Sequence, residues 1–219
     1  MTMAIVNKAR NESLLSSGVG DCLIAIGASA GGPTALATIL SALPRDFPAA
    51  IMIIQHVDAQ FVPSMATWLN ETSGIPVRVA RHGDKPQANA ALIARSNDHL
   101  ILIDSHSLGY TPEPRDCFYR PSIDVFFQSV VRHWRGKAVG VLLTGMGRDG
   151  AKGLRAMRDA GAMTIAQDAT SSAVYGMPKA AAELHAAEKI LPLNNIAGVL
   201  INFVTLKTRQ LMDKHSAGD

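Results

Sequence analysis

Alternation is the feature that most restricts the architectures open to this chain: short, uninterrupted apolar runs keep giving way to segments with helical spacing. Leu23-Ile24-Ala25-Ile26, Ala50-Ile51-Met52-Ile53-Ile54, Ala138-Val139-Gly140-Val141-Leu142-Leu143 and Met163-Thr164-Ile165-Ala166 have the continuous apolar character of parallel strands buried on both faces. Between and after them, helices are expected from Pro33 with Leu36, Ile39 and Leu40, from Pro63 through Met65 and Leu69, from an N-cap at Ser122, and after Gly150 with Leu154 and Met157. Others are expected near Pro178 to Ala187 and from about Asn195, where Ile196, Val199, Leu200, Phe203 and Leu206 share a face. The pattern predicts an α/β fold with a mainly parallel sheet. Val77 to Ala80, Ala91 to Ala94 and Leu100 to Ile103 are short strands, read as a small antiparallel section at one sheet edge. Gly109 to Pro121 carries three prolines and reads as a loop.

Composition narrows the functional classes. With 219 residues, 47% of them hydrophobic and 18% charged, the chain can bury a substantial core as one domain. That domain is placed at 21–206, after a flexible lead-in at 1–20 and before a C-terminal helix end and loose tail at 207–219. No run reaches membrane-spanning length without a charge, Pro or Gly, so no membrane insertion and a cytoplasmic location are expected. Cys22 and Cys117 form no disulfide framework, in keeping with a reducing compartment. A net charge of +3 without a basic run, and aromatic content of only 5%, argue against a nucleic-acid partner. A monomer is expected.

Chemistry is placed where apolar strands end in polar corners. In an open α/β sheet, ligands bind beyond the carboxyl ends of the strands, near the point where strand order reverses. Gly27-Ala28-Ser29-Ala30-Gly31-Gly32-Pro33 turns the first strand into a helix and puts Ser29 near unpaired helix N–H groups that favour developing negative charge. Gln55-His56 closes the second strand, and Thr144-Gly145-Met146-Gly147-Arg148-Asp149-Gly150 follows a later one. A serine nucleophile needs an imidazole to take its proton and a carboxylate to orient that imidazole, and Ser29, His56 and Asp149 supply those types. An ordinary imidazole protonates near pH 6.5, so activity is expected to fall on acidification. Each residue also has a plainer reading. Ser29 could cap a helix, His56 could be a hydrogen-bonded strand-end histidine, and Asp149 could cap the helix beginning at Gly150.

These segments resemble the catalytic domain of the protein-glutamate methylesterases of bacterial chemotaxis. Gly27-Ala28-Ser29-Ala30-Gly31-Gly32 resembles that family's nucleophile loop, Gln55-His56 its histidine, and Thr144 to Gly150 its aspartate loop; Arg120-Pro121-Ser122-Ile123-Asp124 also matches a family segment. The likeness runs from about Cys22 to Phe203. It implies a doubly wound parallel sheet with helices on both faces and no cofactor. The implied activity is hydrolysis of glutamate γ-methyl esters on chemoreceptor helices with release of methanol, and deamidation of receptor glutamines as a secondary activity. By the same resemblance Ser29 is the nucleophile, His56 the base and then acid, Asp149 the orienting group, and the backbone N–H groups of Ala30 and Met146 the oxyanion hole.

The sequence departs from the family pattern at Ala30, where many members have Thr, and over Ile93 to His99, where a Pro-Gly turn is usual. The stretch before Cys22 is too short for the phosphorylatable receiver domain that usually precedes the esterase, so a stand-alone enzyme or an excised domain is expected. Two rival readings stay open: a non-catalytic chemosensory interaction module, and a nucleotide-binding domain, against which stand the missing G-x-G-x-x-G and G-x-x-x-x-G-K-[ST] patterns. The pairs His56/Asp58, His82/Asp84 and Asp104/His106 lack zinc-ligand spacing, and no metal is expected.

Overall fold

The computed structural model describes residues 22–95 and 97–216. The lead-in at 1–20 and the end of the tail at 217–219 lie outside the described residues. Seven strands form the main sheet in the order β3-β4-β2-β1-β7-β8-β9, all pairs parallel. They are β1 (Cys22–Ala28), β2 (Ala50–Gln55), β3 (Val77–Val79), β4 (Ala90–Ile93), β7 (Lys137–Leu142), β8 (Met163–Gln167) and β9 (Lys189–Leu191). Among the described residues six helices accompany them: α1 (Gly32–Ser41), α2 (Val62–Thr72), α3 (Ile123–His133), α4 (Ala151–Asp159), α5 (Met177–Glu183) and α6 (Leu193–Ser216).

Two expectations change in detail. The antiparallel section exists, but it consists of β5 (His99–Leu102) and β6 (Leu108–Thr111) alone, as a separate two-stranded sheet. The segments at 77–79 and 90–93 instead join the main sheet in parallel, because α2 returns the chain to the starting end before β3, the non-helical connection over 80–89 does so before β4, and β4 inserts between β2 and β3. The loop expected from Gly109 starts as a strand, since the turn after β5 folds Leu108–Thr111 back onto it.

Burial explains why β1 is central. Its alternate residues enter two separate cores: Ile24 and Ile26 pack with Leu36, Ile39, Leu69 and Leu200 from α1, α2 and α6. Leu23 and Ala25 share the other core with Phe126, Leu154 and Ala180 from α3, α4 and α5. Full burial of each such Leu or Ile contributes about 1.5–3 kcal/mol, so a strand that is buried on both faces anchors the fold. Connections leave β1 first toward β2, β4 and β3, then resume on its other side at β7, β8 and β9. The order therefore reverses between β1 and β7, which places a crevice at their carboxyl ends.

Candidate active site

The ends of β1, β2 and β7 are tied together by main-chain bonds. Ser29 N–H donates to Thr144 O at 3.0 Å, His56 N–H to Ala28 O at 2.9 Å, and Leu143 N–H to Gly27 O at 2.9 Å. Gln55, buried at the end of β2, adds a cross-link: its amide nitrogen donates to Ser29 O at 2.9 Å and to His56 O at 3.1 Å. The segments carrying Ser29 and His56 are thus held at fixed relative positions.

Ser29 does not cap α1. Gly31 occupies the N-cap, in the left-handed conformation and without a side-chain cap, and Pro33 sits in the first turn as expected. The Ser29 hydroxyl makes no hydrogen bond among the described residues, so a Ser29–His56 bond is not formed in this structure. Gly145 lets the two loops touch, for a Cβ there would lie 2.6 Å from Ser29 Cβ.

His56 and Asp149 are brought together. Their side chains are only 7% and 9% exposed, and His56 Nε2 lies 2.8 Å from Asp149 Oδ2. Asp149 also leaves its own helix uncapped: Gly150 is the N-cap of α4, with no side-chain bond. The carboxylate instead reaches the start of α3, accepting from Ile123 N–H at 2.7 Å, Asp124 N–H at 3.1 Å and the Ser122 hydroxyl at 2.8 Å. Burial works to raise the pKa of Asp149, but the bonds from His56, Ile123 and Asp124 outweigh it and hold the carboxyl below its ordinary value. A carboxylate so fixed accepts a proton-bearing Nε2, which leaves the lone pair on Nδ1. That Nδ1 is buried and without a hydrogen-bond partner.

The N–H groups of Ala30 and Met146 donate to no other group among the described residues. Both residues are exposed, on the two loops that meet at the crevice. Backbone donors of this kind are fixed before charge develops, and one of them is typically worth about 3 kcal/mol of barrier.

A family profile described as CheB methylesterase matches residues 24–200. The chain belongs to the CheB methylesterase family. A protein-glutamate methylesterase/protein-glutamine glutaminase of Cupriavidus metallidurans is 64% identical over 179 residues, covering 82% of this chain and 53% of that protein. A counterpart in Cupriavidus pinatubonensis is 62% identical over 179 residues, covering 82% of this chain and 52% of that protein. The chain thus spans about half the length of these relatives. The catalytic domain of the Thermotoga maritima CheB methylesterase superposes with a TM-score of 0.79 at 32% identity, covering 83% of this chain and 98% of that one.

His99, Gln167 and Tyr119 were not singled out as candidate site residues from the sequence, and Ser122 was singled out only as a helix cap and within a family-like segment. His99, fully buried, accepts the Ser122 N–H on Nδ1 at 3.0 Å and donates from Nε2 to Pro114 O at 3.0 Å. Ser122 is the expected N-cap of α3, with its hydroxyl accepting from Val125 N–H, yet the same hydroxyl donates to Asp149. Gln167 closes β8 as Gln55 closes β2, and its carbonyl oxygen accepts Thr144 N–H at 2.9 Å. A glutamine ending an otherwise apolar strand was the available signal. Tyr119 stacks on His56, and nothing in its sequence neighbourhood foretells that contact.

Asp124, whose own N–H is one of the Asp149 contacts, accepts on its carboxylate from Gly153 N–H at 2.6 Å. Burial pushes its carboxyl up to about 6, and the Asp149 charge adds to the shift against the Gly153 and Gly150 N–H groups and Lys152. Among the described residues no group of three or more His, Cys, Asp or Glu side chains could hold a metal ion. Asp84 is bound instead to the Arg78 guanidinium and the Arg81 N–H, and Asp104 to the His106 N–H. Among the same residues no helix is long and apolar enough to cross a membrane.

Proposed function

We propose that this chain hydrolyses glutamate γ-methyl esters on chemoreceptor cytoplasmic helices, with Ser29 as nucleophile, His56 as general base and acid, and Asp149 as the orienting carboxylate. The observation that carries the reading is the Nε2 bond to Asp149, which leaves a buried, unpartnered Nδ1 on the strand end beside that of Ser29. Relatives named for methylesterase and glutaminase activity support the substrate class.

In the first step Ser29 Oγ attacks the ester carbonyl carbon while its proton passes to His56 Nδ1. The tetrahedral oxyanion accepts hydrogen bonds from the N–H groups of Ala30 and Met146, and Asp149 stabilises the imidazolium. Collapse breaks the bond to the methoxy group, which leaves as methanol with the proton from Nδ1. Water then attacks the acyl-enzyme with His56 again as base, and collapse returns the glutamate and a protonated Ser29. Attack on a glutamine side chain by the same route would release ammonia in place of methanol. The missing Ser29–His56 bond does not oppose this route, since catalytic hydrogen bonds are often long before substrate binds.

The deciding experiment measures methanol release from methylated receptor fragments by wild type and Ser29→Ala side by side. The variant should fold normally and lose roughly 10³-fold or more in rate. Equal rates would remove Ser29 as nucleophile.

A further inference from the structure

We infer that Tyr119 is a positioning residue for His56, holding the plane of the imidazole and covering one of its faces; this rests on the reading of His56 as the base. The two rings are stacked with centroids 4.2 Å apart and planes only 5° from parallel. The Asp149 bond fixes one edge atom of the imidazole but leaves the ring able to swing about that point. A flat partner at stacking distance removes the swing, because any tilt drives the imidazole into the Tyr119 ring. Together the bond and the stack set the direction in which Nδ1 presents its lone pair.

The stack also acts while the base carries its proton. An aromatic face attracts a cation laid over it and keeps water off that side, so Tyr119 favours the imidazolium formed as Ser29 gives up its proton. The ring is the working part of the residue, since the phenol oxygen makes no hydrogen bond among the described residues.

Tyr119 is itself held from two sides. Phe118 packs edge-on against it, with centroids 4.9 Å apart and planes at 81°. On the other side the Tyr119 hydroxyl lies against Gly147, where a Cβ would come within 3.1 Å of that oxygen. Gly147 follows Met146 in the loop that offers the backbone donor, so Tyr119 sits between the base and that loop.

The test compares the whole chain as wild type, Tyr119→Phe and Tyr119→Leu, with Tyr119→Met as a second ringless variant should the leucine form fail to fold. Two readouts are taken: methanol release from a helical receptor peptide bearing a glutamate γ-methyl ester, and the resonances of the His56 ring protons. Tyr119→Phe should stay within about twofold of wild type, and the ringless variants should lose about tenfold in kcat with KM nearly unchanged. The His56 ring protons, shielded beneath an aromatic face, should move downfield in the ringless variants and not in Tyr119→Phe. Wild-type kcat in a ringless variant, an equal loss in Tyr119→Phe, or a change confined to KM would overturn the inference. A wild-type protein that released no methanol would sink the esterase reading instead, and the ring-proton shift would then decide the stack by itself.

Discussion

His56 Nε2 and Asp149 Oδ2 meet at 2.8 Å although 93 positions separate them in the chain, and the remaining contacts of that carboxylate come from the first turn of α3. With His56 as the proposed base, the relationship makes α3 part of its support: a helix N-terminus holds the anion, the anion holds the proton on Nε2, and Nδ1 is left to accept.

Asp149→Asn tests that chain of dependence. An amide can present its N–H to Nε2, which forces the imidazole proton onto Nδ1 and removes the acceptor. The kcat for methanol release should fall about 10⁴-fold, the size associated with a wrong tautomer in this kind of relay. The same substitution should flatten the acid limb of stability. Because the Asp149 carboxyl lies below its unfolded value of 3.8, its contribution is complete above about pH 4 and is lost as pH falls through the folded value. Unfolding titrations between pH 6 and pH 2 should show wild type losing stability more steeply than Asp149→Asn.

Ser122→Ala removes two bonds made by one hydroxyl, the cap on Val125 N–H and the donation to Asp149. Loss of the cap should cost about 1 kcal/mol in thermal or urea unfolding. The kcat should fall by roughly tenfold, the worth of one hydrogen bond to a charged group, and far less than in Asp149→Asn, because the Ile123 and Asp124 N–H groups still hold the carboxylate.

Asp124 has the opposite sign. Its folded carboxyl titrates near 6 against 3.8 unfolded, so the native state binds more protons between those values and stability declines as pH rises through that window. Asp124→Asn keeps an acceptor for Gly153 N–H and removes the charge. It should be more stable than wild type at pH 7.5 by on the order of 2 kcal/mol, after allowance for solvent screening at a half-buried group. The difference should vanish by pH 4, as read from unfolding curves at several pH values.

The sheet was legible because β1, β2, β7 and β8 are buried on both faces and therefore read as continuous apolar runs. Their ends were legible for the same reason: a polar residue after such a run stands out, and Ser29, His56 and the Thr144 to Asp149 loop all do. Strand pairing was harder to read. The segments at 77–79 and 90–93 are too short for periodicity to tell parallel from antiparallel, and only the paths of α2 and of the connection over 80–89, with the insertion of β4, decide it. Apart from the His56–Asp149 pair, side-chain partners chosen across long separations were not legible either. Asp149 could be read as a cap for the helix that follows it, whereas it serves the one that precedes it, and Tyr119 meets His56 through a loop with no repeating pattern.

Gly145→Ala probes the close approach of the two loops that carry Ser29 and Asp149. The added Cβ would lie 2.3 Å from Met177 Sδ and 2.6 Å from Ser29 Cβ. The methionine can yield, being flexible. Ser29 cannot do so freely, since its N–H is bonded to Thr144 O and its carbonyl to Gln55. Fitting the methyl therefore strains those bonds and displaces the Ser29 side chain, and with Ser29 as the proposed nucleophile a displacement approaching 1 Å costs about 10²-fold in rate. Gly198→Ala provides the contrast: in α6, a Cβ at that position meets nothing within 4 Å. There the change should raise stability by about 0.5–1 kcal/mol through helix propensity, with methanol release unchanged. A Gly145→Ala enzyme as active as Gly198→Ala would mean that the spacing between Ser29 and the Thr144 to Asp149 loop does not govern catalysis.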